Sequence, residues 1–269
     1  MKVLSRVYTA LIFIILYIPI LVLMLFSFNS TSNTGDFTGL SFYWYRELFQ
    51  SPETFNALKN TLVLAVSASV ISTVIGTAAA VGLCKFKKNL WKNSVLSVTN
   101  IPMMNPDIVT GISMMLLFVF LGTLLGREEK LGFTTLLIAH VTFCLPYVIL
   151  SVRPKILTMP RSLPEAAQDL GCTPLQSFFK VELPQILPGV ISGFILAFTL
   201  SLDDFVISYF TTGNDFQTLP LLIYSMTKKE VKPDIYALST LMILAVTVLL
   251  VLSNLSSKEK SSERRLTLS

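Results

Sequence analysis

Charge is scarce in this chain. Only 14% of its 269 residues are Asp, Glu, Lys or Arg, against 52% hydrophobic ones, where a soluble domain carries about 25% charged residues. That excludes an ordinary water-soluble globule and points to a protein solvated by lipid. Histidine is nearly absent. His140 stands alone in "LLIAHVTF", and a lone intramembrane histidine reads as a packed, hydrogen-bonded residue before it reads as a ligand. The three cysteines (Cys84, Cys144, Cys172) are odd in number and far apart, with no CxxC pair, so neither a disulfide framework nor a metal site is expected. No G-x-x-x-x-G-K-S/T run occurs, so the chain supplies no P-loop, and no catalytic group or cofactor is expected. Basic residues are scattered, so the net charge of +5 is loop charge on a membrane protein and not a nucleic-acid surface.

What the sequence has instead is long apolar runs. About 20 apolar residues of helix cross a hydrocarbon core of roughly 30 Å. Six stretches qualify: 7–28, 61–83, 95–121, 133–152, 186–210 and 235–252. The first is too long for a cleavable signal and no small-residue cleavage site follows it, so it reads as a retained helix. With the N-terminus inside, fourteen Lys and Arg fall on the cytoplasmic segments and seven on the opposite face. That bias predicts both termini in the cytoplasm.

The loop "RPKILTMPRSLPEAAQDLGCTPLQSFFKVELPQ" (residues 153–185) is the longest on the inner side. Ser162 and Glu165 have the spacing of a capping box, with Pro164 in the first turn. Gly171 is the residue type that closes a helix in the left-handed conformation. Thr173 and Gln176 form a second box with Pro174 at its favoured place, and Pro184 is expected to end or kink the second helix. The pattern predicts a short helix, a sharp turn and another short helix. Such an elbow is either a docking surface or a hairpin lying on the lipid headgroups.

These residues carry a resemblance. Glu165-Ala166-Ala167, Gly171 after three residues, then Val181-x-Leu183-Pro184 after nine more resembles the EAA motif of bacterial ABC importer permeases, EAA-x3-G-x9-I-x-L-P, with Val181 for the usual Ile. "SLDDFVISYFTTG", "LPLLIYSMTKKEVKPDIYALST" and "MMNPDIVTGISMMLLFVFLG" are similar to the second membrane subunit of spermidine/putrescine importers, the PotC type. The resemblance implies an all-α integral membrane fold of six transmembrane helices, a type I (MetI-like) permease core with an extra N-terminal helix. The domains expected are 1–56, 57–254 and a cytoplasmic tail, 255–269. It further implies a bacterial cytoplasmic membrane, a second homologous permease, a cytoplasmic ATPase dimer coupled through Glu165, Ala166, Ala167, Gly171, Leu183 and Pro184, and an external polyamine-binding protein.

Independently of that resemblance, the six spans hold three acids (Asp107, Asp203 and Asp204) and no Lys or Arg. A charge at mid-helix costs about 2.5–3.5 kcal/mol on insertion scales, so such residues are functional candidates by default. An all-negative lining suits a cationic substrate, and polyamines keep their amines protonated at pH 7. Extending the fifth span to Phe210 places the aspartate pair in its outer half. On a continuous helix the two stand about 100° apart, so one faces the pathway while the other bonds a neighbour such as Ser201 or Ser208. Asp107, expected nearer the middle of the third span between Pro102 and Pro106, is either a ligand or a cap for the helix broken at Pro106. Phe205, Tyr209, Tyr224 and Tyr147 are candidates for cation–π contacts or interfacial anchors. A stand-alone secondary transporter, or a permease for another small cation, is the alternative. An intramembrane enzyme lacks a nucleophile–base set.

Overall fold

The computed structural model describes residues 2–31, 36–85, 89–126, 131–160, 162–213, 216–228, 234–248 and 251. The tail 255–269 and the loop cations Lys87, Lys88, Arg127, Lys130, Arg161, Lys229 and Lys232 lie outside them. The described chain is helical: α1 (Lys2–Phe26), α2 (Tyr43–Gln50), α3 (Pro52–Lys85), α4 (Asn89–Met104), α5 (Asp107–Leu124), α6 (Phe133–Thr158), α7 (Ser162–Asp169), α8 (Pro174–Ser177), α9 (Leu183–Asp203), α10 (Val206–Thr211) and α11 (Leu219–Thr227), then α12 (Asp234–Val248). Among the described residues the extended pairing is one isolated bridge, Asn29 with Leu40.

Among the described residues, five helical stretches are long and apolar enough to cross a membrane: Arg6–Phe26, Pro52–Lys85, Asp107–Leu124, Phe133–Thr158 and Pro174–Asp203. The sixth expected span corresponds to the shorter apolar helix α12. Three expectations need correction. The third span is interrupted, because Pro106 lacks an N–H and forces its predecessor out of the helical region; α4 stops at Met104 and α5 begins at Asp107. The fourth helix runs on through Arg153 and Lys155 to Thr158, so the elbow is shorter than the loop read from the sequence. The fifth helix ends at Asp203 and does not continue to Phe210. Its length comes from the other side: α9 alone has 21 residues, about 31 Å at 1.5 Å per residue.

Packing divides the chain into two units, one of Met1–Leu58 with Leu219–Leu252 and one built on Lys59–Thr218. In the first, Leu48, Ala57, Leu219, Leu222 and Leu238 form the buried cluster. Asn29, wholly buried, ties a turn by donating to the Asp36 carbonyl at 2.7 Å and accepting from the Thr38 N–H at 3.0 Å. The Trp44 indole donates to the Asn29 carbonyl at 2.8 Å. The short helix α2, which the sequence reading missed, is held there by its buried Trp44 and Leu48.

In the second unit α6 and α9 pack at close range through small residues. A Cβ on Gly189 would stand 2.9 Å from the Ser151 carbonyl and 2.7 Å from Lys155 Cγ; one on Gly193 would stand 3.3 Å from Val148 Cα. The apolar cluster they close includes Phe143, Cys144, Val148, Ile149, Val152, Ile186 and Ala197. Overpacking of such a contact costs about 1–3 kcal/mol. Gly189→Val is therefore expected to lower the recovery of monodisperse protein on size-exclusion chromatography several-fold, whereas Gly82→Val, where nothing lies within 4 Å, leaves it unchanged.

Candidate functional site

The break after α9 is built by one side chain. Asp204 leaves the helix with extended backbone, φ −64° and ψ 122°. Its carboxylate then accepts the N–H of Ile207 at 3.3 Å, the N–H of Ser208 at 2.8 Å and the Ser208 hydroxyl at 3.0 Å. It does for α10 what an N-cap residue does, satisfying N–H groups that the first helical turn leaves open. The sequence reading placed the pair on a continuous helix; the capping carboxylate is the physical reason it is not.

His140 reaches this break from α6. Its Nδ1 lies 2.8 Å from Ser201 Oγ on α9, and its Nε2 lies 3.0 Å from Ser208 Oγ on α10 and 3.5 Å from Asp204 Oδ2. The imidazole is 1% exposed and the Asp204 side chain 7%. A buried polar network of this kind is stable when each member has a partner, and this one ties three helices together. Packed and hydrogen-bonded is what the sequence suggests for His140, but its partnership with Asp204 was missed. A histidine and an acid in neighbouring spans are a pair to test by default, which is the signal that was available. His140→Ala leaves Ser201, Ser208 and Asp204 buried without it, a loss of about 1–3 kcal/mol. The expected result is a thermal midpoint several degrees lower for the purified protein.

Asp203, one residue earlier, is exposed. The Phe205 and Tyr209 rings lie side by side after it, centroids 5.6 Å apart, with Tyr209 46% exposed. Asp107 is exposed in the first turn of α5, where the helix dipole favours a carboxylate, and not at mid-span as expected. A Cβ on Gly111 would lie 2.9 Å from Phe210 and 3.5 Å from the Val206 carbonyl. Asp107 precedes Gly111 by one turn, about 6 Å of helix. The two helix breaks, and with them the acids of α5 and of the α9–α10 junction, therefore lie in the same part of the unit. Tyr224 belongs to the other unit, on α11, where the Lys228 ammonium stands 4.6 Å from its ring centre.

The elbow has the expected turn. Gly171 has φ +88°; its N–H bonds the Gln168 carbonyl at 2.9 Å and that of Cys172 bonds Ala167 at 3.0 Å, the paired bonds of a Schellman ending. Thr173 and Gln176 make the reciprocal capping box, at 3.0 and 3.3 Å. Ser162 is a helical residue of α7 and does not precede it. Pro184 does not separate the second helix from the fifth span. The turn before it widens into a π-helix, Phe178–Glu182, in which the Leu183 N–H bonds Phe178. The extra residue relieves the clash a proline makes with the preceding turn, so α8 to α9 is one rod. Ala167 is buried, Glu165, Ala166 and Pro184 are exposed and Leu183 is half-buried. Leu170, Leu175 and Phe179 are 87%, 70% and 60% exposed.

Residues 72–258 match the family described as binding-protein-dependent transport system inner membrane component. The chain belongs to this family. As an inner membrane component it is a multi-pass membrane subunit of a larger transport system. It is 41% identical over 236 residues to the putrescine transport system permease protein PotI of Escherichia coli (strain K12), covering 88% of this chain and 84% of that one. It is 36% identical over 258 residues to the spermidine/putrescine transport system permease protein PotC of Haemophilus influenzae, covering 96% and 98%. Its fold is also that of a chain in the crystal structure of a bacterial ABC transporter that imports the acidic polysaccharide alginate, with a TM-score of 0.74, 16% identity and 96% and 95% coverage. The expectations of an all-α membrane fold and of permease kinship hold.

Proposed function

We propose that this inner membrane component forms half of the translocation pathway of an ATP-driven polyamine importer, with Asp203 as the substrate-facing carboxylate and Asp204 as its structural support. The observation that carries the reading is the division of labour within the pair. Asp204 is buried and its carboxylate is engaged by Ile207, Ser208 and His140, whereas Asp203 is exposed at the end of α9, two residues before Phe205. With no Lys or Arg in the spans expected from the sequence, a passing cation supplies Asp203 with a countercharge. Amines like that of lysine, with a pKa of about 10.4, remain protonated at pH 7, and aromatic faces attract ammonium groups. Asp107 adds negative charge to the same region. Kinship with a putrescine permease and a spermidine/putrescine permease agrees in substrate class.

The elbow is the docking surface for a cytoplasmic ATPase dimer. Its exposed Leu170, Leu175 and Phe179 supply the apolar contact, and Glu165 through Pro184 hold its geometry. Both termini then lie in the cytoplasm, a second, homologous permease completes the pathway, and an external polyamine-binding protein delivers the substrate. The alginate transporter, solved in complex with its substrate-bound periplasmic protein, has a chain of this fold.

The test is reconstitution. The affinity-purified chain, co-expressed with its neighbouring genes, is expected to bring down an ATPase and a second permease, and proteoliposomes of that complex to accumulate putrescine or spermidine only with ATP. Uptake without ATP would indicate a secondary transporter, and uptake of another cation in preference to both polyamines would overturn the substrate assignment.

A further inference from the structure

Glu182 is an acid that the site above does not use. It lies in the π-helical turn between α8 and α9, is 4% exposed, and its Oε1 stands 3.0 Å from Lys85 Nζ. Lys85 is the last residue of α3, 97 positions earlier, and its side chain is 59% exposed. A buried carboxylate held by one cation is strongly dependent on that cation, because loss of the partner leaves an uncompensated charge out of water. The ammonium is also well placed at the C-terminal end of α3, where the helix dipole favours it. Around the pair, Ala80 and Leu83 of α3 share an apolar cluster with Ile186 of α9, and Phe178 and Leu183 pack against that cluster.

The position of the pair matters because of what it joins. The rod Pro174–Asp203 has α8 of the elbow at one end and the break with Asp203 at the other. Displacing the elbow moves that rod directly. The Glu182 contact is the point where α3, a separate helix of 34 residues, is fastened to the same rod by a directional bond. The π turn places this attachment one turn from the elbow, in a helical geometry that recurs at functional sites.

We propose that the Lys85–Glu182 ion pair is a second attachment of the elbow, passing its displacement into α3 while α9 passes it to the break. This rests on the reading of the chain as an ATP-driven polyamine permease. The pair is a positioning device and touches neither substrate nor nucleotide. A merely structural role would lower the amount of folded complex and leave the stoichiometry of the folded fraction intact; a transmitting role changes the stoichiometry.

The experiment measures polyamine accumulated per ATP hydrolysed by the complete transporter in proteoliposomes. Glu182→Gln and Lys85→Met are each expected to lower that ratio roughly tenfold while hydrolysis continues, a size expected for residues in a coupling network. Lys85→Arg, which keeps the charge, and the reciprocal exchange Lys85→Glu with Glu182→Lys are expected to restore most of it. Should Lys85→Met reduce assembly by leaving the buried Glu182 carboxylate uncompensated, the double variant Lys85→Met with Glu182→Gln, which removes both charges, decides in its place. A parent-like ratio in Lys85→Met, or a Lys85→Arg variant no better than Lys85→Met, overturns the proposal. A parent complex that moves no polyamine contradicts the functional reading, and the proposal with it; a coupled parent with coupled variants contradicts the proposal alone.

Discussion

Asp203→Asn is expected to cut ATP-dependent polyamine uptake about ten- to a hundredfold, the scale of a lost charge-assisted contact of about 1.5–3 kcal/mol. Asn is nearly isosteric, and Asp203 is exposed at the end of α9, so assembly and ATP hydrolysis should persist. Spermidine uptake should suffer more than putrescine uptake if the extra charge is read here. Asp204→Asn should behave differently. Its carboxylate caps α10 and meets His140, so the variant should lose folded protein and thermal stability first, with uptake per folded complex less affected. Equal loss of uptake in both, with equal stability, would mean that the pair is not divided as the geometry divides it.

Gly171→Val is the second large effect. At φ +88° a β-branched residue is strained by about 1–2 kcal/mol, and no neighbouring atom lies within 4 Å of the added Cβ. The penalty is therefore conformational and not a clash. Relief of that strain opens the two bonds from the N–H groups of Gly171 and Cys172 and swings α7 relative to α8. The membrane helices are untouched, so the protein should still insert. Transport is expected to fall about five- to thirtyfold by the same energy, with the ATPase detached or hydrolysing without uptake. Gly171→Ala should fall between parent and Val, and normal uptake by the Val variant would show that the elbow is not the coupling element.

Much of this was legible because the signals were local. The Gly171 turn and the Thr173–Gln176 box follow from residues within one helical turn of each other, and the apolar runs announce membrane helices by length alone. What was not legible depends on geometry that no apolar run or spacing marks. The end of α9 could not be placed by counting apolar residues, because the cap at Asp204 is defined by Ile207, Ser208 and a histidine from another helix. The continuity of the rod through Pro184 depends on a π turn, which has no simple sequence mark. Lys85 and Glu182 stand 97 residues apart, and only their 3.0 Å contact gives them a shared role. α2 was missed because its eight residues are too few to show a periodicity against the aromatic run around it.

The proposed polyamine path runs past Asp203 and the neighbouring rings of Phe205 and Tyr209. It is tested most directly by irradiating the turning-over transporter with a photoreactive polyamine and mapping the label by peptide mass spectrometry. Label is expected on the segment 203–209, removed by excess unlabelled putrescine and lost in Asp203→Asn. Label confined to other segments, or label on 203–209 that putrescine does not displace, would contradict it.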